Sequence, residues 1–192
     1  MILALKNVMK LHSILRKFIC ASVIIGFIHT SNAQEIPSFL EGSVFHKVGT
    51  KEGVDPLLLY AVSLTESAKG KNRQEVQPSV YVIRTPNGAI YPKTIEEAKK
   101  HLKASINAYG YKALDVGLMQ INGQQWSKLK NKNALFNPYF NVTFGARILK
   151  KAIASTDDKV IGIGRYHSFT EWRAKTYGNR VIAIYNNLKS IE

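Results

Sequence analysis

The sequence predicts a mainly α fold of the α+β kind, a helical domain with one small β-hairpin near residues 80–91, and three observations carry that reading. Apolar residues recur at helical spacing: Ile95, Ala98, Leu102, Ile106 and Tyr109 in one segment, and Val142, Gly145, Ala146, Leu149, Ala152 and Ile153 in another. β-Prone residues cluster around Pro86-Asn87-Gly88, where Val80-Tyr81-Val82-Ile83 and Ala89-Ile90-Tyr91 flank an Asn-Gly pair, a strong hairpin signal. No internal repeat, low-complexity tract or linker divides the chain. Its 192 residues, 45% hydrophobic and 10% aromatic, suffice for one well-buried core. Intrinsic disorder, a collagen-like chain and a multidomain machine are thereby excluded.

Residues 1–33 read as a secretory signal peptide. Lys6, Lys10, Arg16 and Lys17 precede an uncharged, mostly apolar run at 18–28, and Ser31-Asn32-Ala33 is a small-x-small cleavage signature. The run falls short of the roughly 20 residues that span a bilayer as a helix, so no stable membrane span is expected after cleavage. Residues 34–192 would then form the mature domain, periplasmic or secreted. Cys20 is the only cysteine and follows Lys17-Phe18-Ile19 rather than small residues, which argues against a lipid anchor. A mature chain without thiols excludes disulfide frameworks, cysteine nucleophiles and cysteine metal sites.

Within the mature domain, Ser38-Phe39-Leu40-Glu41 has capping-box spacing and predicts a helix to about Lys51, with Gly53 breaking the chain after it. Asp55-Pro56 supplies an N-cap and a proline at the first helical position for a helix over 57–67. That segment is apolar almost throughout until Thr65 and Glu66, so burial on all sides is expected. Thr94-Ile95-Glu96-Glu97, a second capping box, opens the helix that ends at Gly110. Another helix follows Asn137-Pro138. Segments 157–166 and 170–188 complete the helical set, with Gly178 the point where the last would break.

The formal charge is +14, from 27 Lys and Arg against 13 Asp and Glu. The leader holds four of the basic residues and none of the acidic ones, so an excess of ten stays with the mature domain. Such a balance suits a polyanionic partner: nucleic acid, anionic lipid or an acidic wall polymer. The leader and the lack of a recognisable nucleic-acid motif argue against nucleic acid. The five histidines show no His-x-x-x-His or similar ligand spacing, so neither a metal site nor a cofactor is expected.

Three segments carry chemistry. Glu66 ends a helix whose preceding ten residues, 56–65, bear no charge. Burial there would raise its pKa and keep it protonated near neutral pH, as a general acid requires; a frayed helix end would instead leave an ordinary solvated carboxylate. Asp115-Val116-Gly117-Leu118-Met119-Gln120-Ile121-Asn122 combines a glycine that permits close approach with the amides of Gln120 and Asn122. Those amides suit sugar hydroxyls and N-acetyl groups, or equally the backbone of a buried turn. Gly164-Arg165-Tyr166-His167-Ser168 sets a phenol beside an imidazole and a hydroxyl, where Tyr166 would orient a carboxyl, meet substrate or simply pack.

Taken in order, Ala61-Val62-Ser63-Leu64-Thr65-Glu66-Ser67, Gly117-Leu118-Met119-Gln120-Ile121-Asn122, Asn137-Pro138 with Asn141, Gly145-Ala146-Arg147-Ile148-Leu149 and Tyr166 resemble the motifs of the soluble lytic transglycosylase (SLT) family. Residues 78–123 are also similar to transglycosylases encoded with conjugation or secretion systems, which carry a similar hairpin before the Gly-Leu-Met-Gln motif. The resemblance implies a lysozyme-like fold. It implies cleavage of peptidoglycan glycan strands between N-acetylmuramic acid and N-acetylglucosamine, with formation of a 1,6-anhydro product. It makes Glu66 the catalytic acid and then base, and Ser67, Gly117, Met119, Gln120, Asn122 and Tyr166 the substrate-binding residues. Components of an envelope-spanning secretion or conjugation apparatus are the implied partners. His167 departs from the asparagine usual in the family. Two alternatives stay open: a lysozyme-type muramidase, for which Asp115 would be the second carboxylate, and a non-enzymatic peptidoglycan-binding module.

Overall fold

The structure is a computed structural model that describes residues 36–70 and 76–191. The expected signal peptide lies outside the described residues. Helix α1 (Val44–Glu52) starts where Ser43 Oγ accepts the His46 N–H at 3.2 Å, and it ends at Gly53, φ +66°. The start expected at Ser38 is corrected: Ser38–Leu40 is a single 3-10 turn. Gly42, at φ +69°, reverses the backbone before Ser43, a conformation that glycine reaches without a Cβ penalty. Helix α2 (Pro56–Ser67) begins as the sequence predicts, with Asp55 Oδ1 accepting from Leu57 N at 2.8 Å and Leu58 N at 3.4 Å. Leu57, Leu58, Leu59, Ala61 and Val62 are all buried, so this helix runs through the core.

Two-residue strands β1 (Ala68–Lys69) and β2 (Gln77–Pro78) pair just after α2. The main sheet is antiparallel, in the order β4-β3-β5-β6, from β3 (Ile83–Thr85), β4 (Gly88–Ile90), β5 (Asp115–Val116) and β6 (Ile121–Asn122). The expected hairpin is β3-β4. Its central residues are Pro86 and Asn87, one position before the Asn-Gly pair, with Gly88 following at φ +117°. Proline fixes φ near −65° and so takes the first central position. Thr85 Oγ1 closes the turn, accepting from Asn87 N at 3.2 Å and donating to Gly88 O at 3.0 Å.

Helix α3 (Ile95–Tyr109) is capped by Thr94, while the Glu97 carboxylate reaches back to Lys93 N at 2.8 Å. After the one-turn helix α4 (Gly123–Trp126) comes α5 (Pro138–Ile153), opened by Asn137 Oδ1 accepting from Phe140 N at 2.9 Å. Helices α6 (Lys159–Gly164) and α7 (Glu171–Lys189) complete the chain. Helix α7 packs on α6 and α2, and α1 packs on α2 and α5, around buried Leu59, Val62, Trp126, Phe136 and Leu149. The architecture is mainly α with small antiparallel sheets, as the sequence predicts. Among the described residues no helix is long and apolar enough to cross a membrane.

Helix α7 continues through Gly178, contrary to the expected break. The glycine serves close approach instead: a Cβ there would overlap the Val160 carbonyl of α6, as one at Gly164 would overlap the Ala174 carbonyl of α7. Alanine in a helix interior gains about 1 kcal/mol over glycine. Overpacking costs about 1–3 kcal/mol, and backbone carbonyls yield less readily than side chains. Gly178→Ala is therefore expected to lower stability despite its better propensity, read as a fall in Tm. A rise would show that α6 and α7 separate freely.

Candidate active site

A cleft of about 690 Å³ opens where the end of α2 meets β3, β5, β6 and the face of α7. Glu66, Arg84, Asp115, Gln120, Asn122 and Tyr166 line it. Glu66 is partly buried one residue before the end of α2, and its Oε1 accepts a hydrogen bond from Tyr177 Oη at 2.7 Å. Burial, the largest influence, pushes the Glu66 carboxyl up to about 7, and the nearby Asp115 charge adds to the rise. The Tyr177 hydrogen bond and the positive charges of Arg84 and Arg180 oppose it.

The phenols around it stay neutral. Burial raises both Tyr166 and Tyr177 well above the usual tyrosine range. Tyr166 Oη donates to Met119 O at 2.6 Å, and the Tyr166 and Tyr177 rings lie 6.4 Å apart. His167 stacks on Tyr177 at 5.0 Å with its ring nearly parallel, and desolvation lowers its pKa. Its imidazole therefore sits over Tyr177 as a flat neutral ring near pH 7.

The loop between β5 and β6 is held from behind. Gly117 has φ +82°, and a Cβ there would overlap the Asn141 amide and lie 2.8 Å from Leu135 O. The buried Asn141 accepts from Met119 N at 2.8 Å and donates to Leu135 O at 2.9 Å and Val116 O at 3.0 Å. Gln120 is the one non-glycine described residue with positive φ, at +45°. A side chain costs about 1–2 kcal/mol in that region. Its amide holds the conformation, donating to Gly117 O at 3.0 Å and Val82 O at 3.3 Å. Arg84 joins this loop to the helix: its Nε donates to Gln120 Oε1 at 3.4 Å and its Nη2 to Glu66 O at 3.1 Å. A cation at the carbonyl end of α2 also complements the helix dipole.

The residues expected to bind substrate divide into two groups. Gln120, Asn122 and Tyr166 line the cleft beside Glu66, whereas Ser67, Gly117 and Met119 do not. Ser67 is 1% exposed, with Oγ 2.7 Å from Leu118 O, so it fastens the loop to α2. Met119 is buried against Gly145, and Gly117 backs onto Asn141. The two cleft amides also serve the protein. Asn122 donates to Asp115 Oδ1 at 2.9 Å and accepts from Gln124 N at 3.0 Å.

Sequence reasoning did not single out Tyr177, Arg84, Trp172, Arg173 or Arg180, all of which line the cleft. Four of them lie on α7, and the 173, 176/177, 180 spacing of a single helix face was the available signal. Among the described residues, no group of three or more His, Cys, Asp or Glu side chains gathers as a metal ion would need.

The site is thus a carboxyl desolvated at a helix end, facing a cleft bounded by a short antiparallel sheet, an arrangement suited to general acid–base chemistry. A family profile described as the transglycosylase SLT domain matches residues 43–187, about three quarters of the chain. The chain belongs to the SLT family, whose members are lytic transglycosylases acting on peptidoglycan. No curated protein and no solved structure matches it.

Tyr177 holds Glu66 down as well as in place, since its hydrogen bond opposes the rise caused by burial. Tyr177→Phe is expected to raise the Glu66 pKa further, moving the alkaline limb of the pH–rate profile upward while lowering kcat. An unmoved limb would mean that the hydroxyl plays no part in setting the acid.

Proposed function

We propose that the chain is a lytic transglycosylase that cleaves the β-1,4 bond between N-acetylmuramic acid and N-acetylglucosamine, with Glu66 acting first as acid and then as base. The observation that carries this reading is the Glu66 carboxyl held near pKa 7 in an open cleft. An unprotonated sugar oxygen is a poor leaving group, and a carboxyl with that pKa retains a proton in much of the protein at neutral pH. Tyr177 engages one carboxyl oxygen, which leaves the other for proton transfer.

Proton transfer to the bridging oxygen breaks the bond to C1 and leaves Glu66 as a carboxylate. The positive charges of Arg84 and Arg180 stabilise that anion, as their downward pull on its pKa indicates. The carboxylate then takes the proton of the muramic acid C6 hydroxyl, whose oxygen closes onto C1 to give the 1,6-anhydro sugar without water. Glu66 ends the cycle protonated. Gln120, Asn122 and Tyr166 shape the surface against which the sugars lie, with Ser67, Gly117 and Met119 supporting that surface from beneath.

The basic, apolar and small-residue order of residues 1–33 supports export, which would place the mature domain, 34–192, in the periplasm or outside the cell. Local opening of the wall for a secretion or conjugation apparatus is the process such an enzyme would serve there. One observation favours a second reading, because Asp115 lines the same cleft and would be the second carboxylate of a muramidase. Against it, Asp115 already accepts from Asn122.

Digestion of purified sacculi followed by mass spectrometry separates the outcomes. Anhydro ends are expected, ends heavier by one water would identify hydrolysis, and folded protein that releases nothing would overturn the enzymatic reading. Glu66→Gln is expected to abolish product. It is also expected to stabilise the fold at alkaline pH. The folded carboxyl titrates near 7 and the unfolded one near 4.5, so the native state binds the proton more tightly. Wild-type stability therefore falls as pH rises through that window, by on the order of 3 kcal/mol in full. The variant lacks this loss, so its Tm should exceed that of wild type at pH 8 and converge with it near pH 4.

A further inference from the structure

The α7 wall of the cleft is cationic and aromatic to a degree that proton transfer does not require. Trp172, Arg173, Thr176, Tyr177 and Arg180 all face the cleft from this one helix. Trp172 is 65% exposed, and the Arg173 guanidinium carbon lies 5.2 Å from its ring centroid, a cation–π contact that orients both side chains. From the β3 side, Arg84 is held by Glu66 O and Gln120 Oε1.

None of these three arginines forms an ion pair among the described residues, where the only such pair is Arg147 with Glu52. The carboxyls they meet do not neutralise them. Glu66 is substantially protonated at neutral pH, and Asp115 sets a single negative charge against three guanidinium groups. Three like charges around one cleft repel one another unless an anion enters. The sugar backbone, with its hydroxyls and acetamido groups, calls only for neutral donors and acceptors. Guanidinium forks instead match carboxylates, which they bind through paired hydrogen bonds.

We propose that Arg84, Arg173 and Arg180 read the carboxylates of the peptide stems carried by the glycan, with Trp172 stacking on a sugar ring beside them. This rests on the peptidoglycan reading of the cleft and adds to it a preference for strands whose stems are charged.

The test compares strands from sacculi with the same strands after their carboxylates have been converted to amides, using the full chain. Amidation is expected to raise KM roughly tenfold or more, the scale of a lost charged hydrogen bond. The difference should shrink as salt is added. Arg173→Gln and Arg180→Gln, each checked for folding by circular dichroism, should bring the KM ratio of the two strands toward one, while Arg173→Lys keeps part of it. Equal KM for both strands with wild type would overturn the proposal and leave the transglycosylase reading standing, as would a ratio unaltered in the glutamine variants. Failure to cleave either strand would instead remove the reading on which the proposal rests.

Discussion

A carboxyl group at the end of a buried apolar helix is costly to ionise, and that cost organises the molecule. Helix α2 cannot swing Glu66 into water without exposing Leu57, Leu59, Ala61 and Val62, whose burial is worth about 1.5–3 kcal/mol for each large side chain. Helix α7 fixes both of its ends through tyrosines running antiparallel to it. Tyr185 donates to Asp55 Oδ2 at 2.8 Å at the start of α2, and Tyr177 donates to Glu66 Oε1 at 2.7 Å near its end. The two contacts look alike and act differently. Asp55 also accepts backbone N–H groups as an N-cap, so its charge is well used. Glu66 caps nothing, and the cost of ionising it remains available to chemistry.

The loop between β5 and β6 shows how little of a sugar-like motif need touch sugar. Gly117, Met119 and Asn141 spend their polar groups and their space on one another, which fixes a backbone that Gln120 could not hold at positive φ alone. Ser63 and Ser67 fasten the Leu118 carbonyl to α2, so the loop and the acid move as one body. The loop supplies position, which leaves charge recognition to side chains from β3 and α7.

Local signals explain what could be read from the sequence. Asp55-Pro56, Thr94 and Asn137-Pro138 mark helix starts because a cap acts within three or four residues, and each opens a helix in the structure. The uncharged run before Glu66 likewise announces desolvation. Ser38 shows the limit of such signals: its capping-box spacing is intact, yet Gly42 turns the chain and Ser43 takes the cap. Helical spacing puts Tyr177 on one face with Arg173 and Arg180 but does not say what that face meets. A tyrosine on a polar helix looks the same whether it faces solvent or a carboxyl 111 residues earlier. Ser67 and Met119, which the family resemblance alone made substrate residues, are buried away from the cleft, a placement that only the packing shows.

A group that serves as acid and then as base works best with a pKa near the operating pH, because each departure improves one step at the expense of the other. Glu66 reaches about 7 as a balance, with burial and Asp115 raising it and Tyr177, Arg84 and Arg180 lowering it. Two of the lowering groups are the arginines assigned to substrate carboxylates. A bound carboxylate would offset their charge and weaken their pull on Glu66, so its pKa would rise when substrate is present. The acid would then hold its proton most firmly when a bridging oxygen lies ready to receive it. The stem stays on the muramic acid through both steps, so the carboxylate left after proton transfer would also be a stronger base toward the C6 hydroxyl. Recognition and proton transfer would thus be coupled through one pair of charges, without any movement of the backbone.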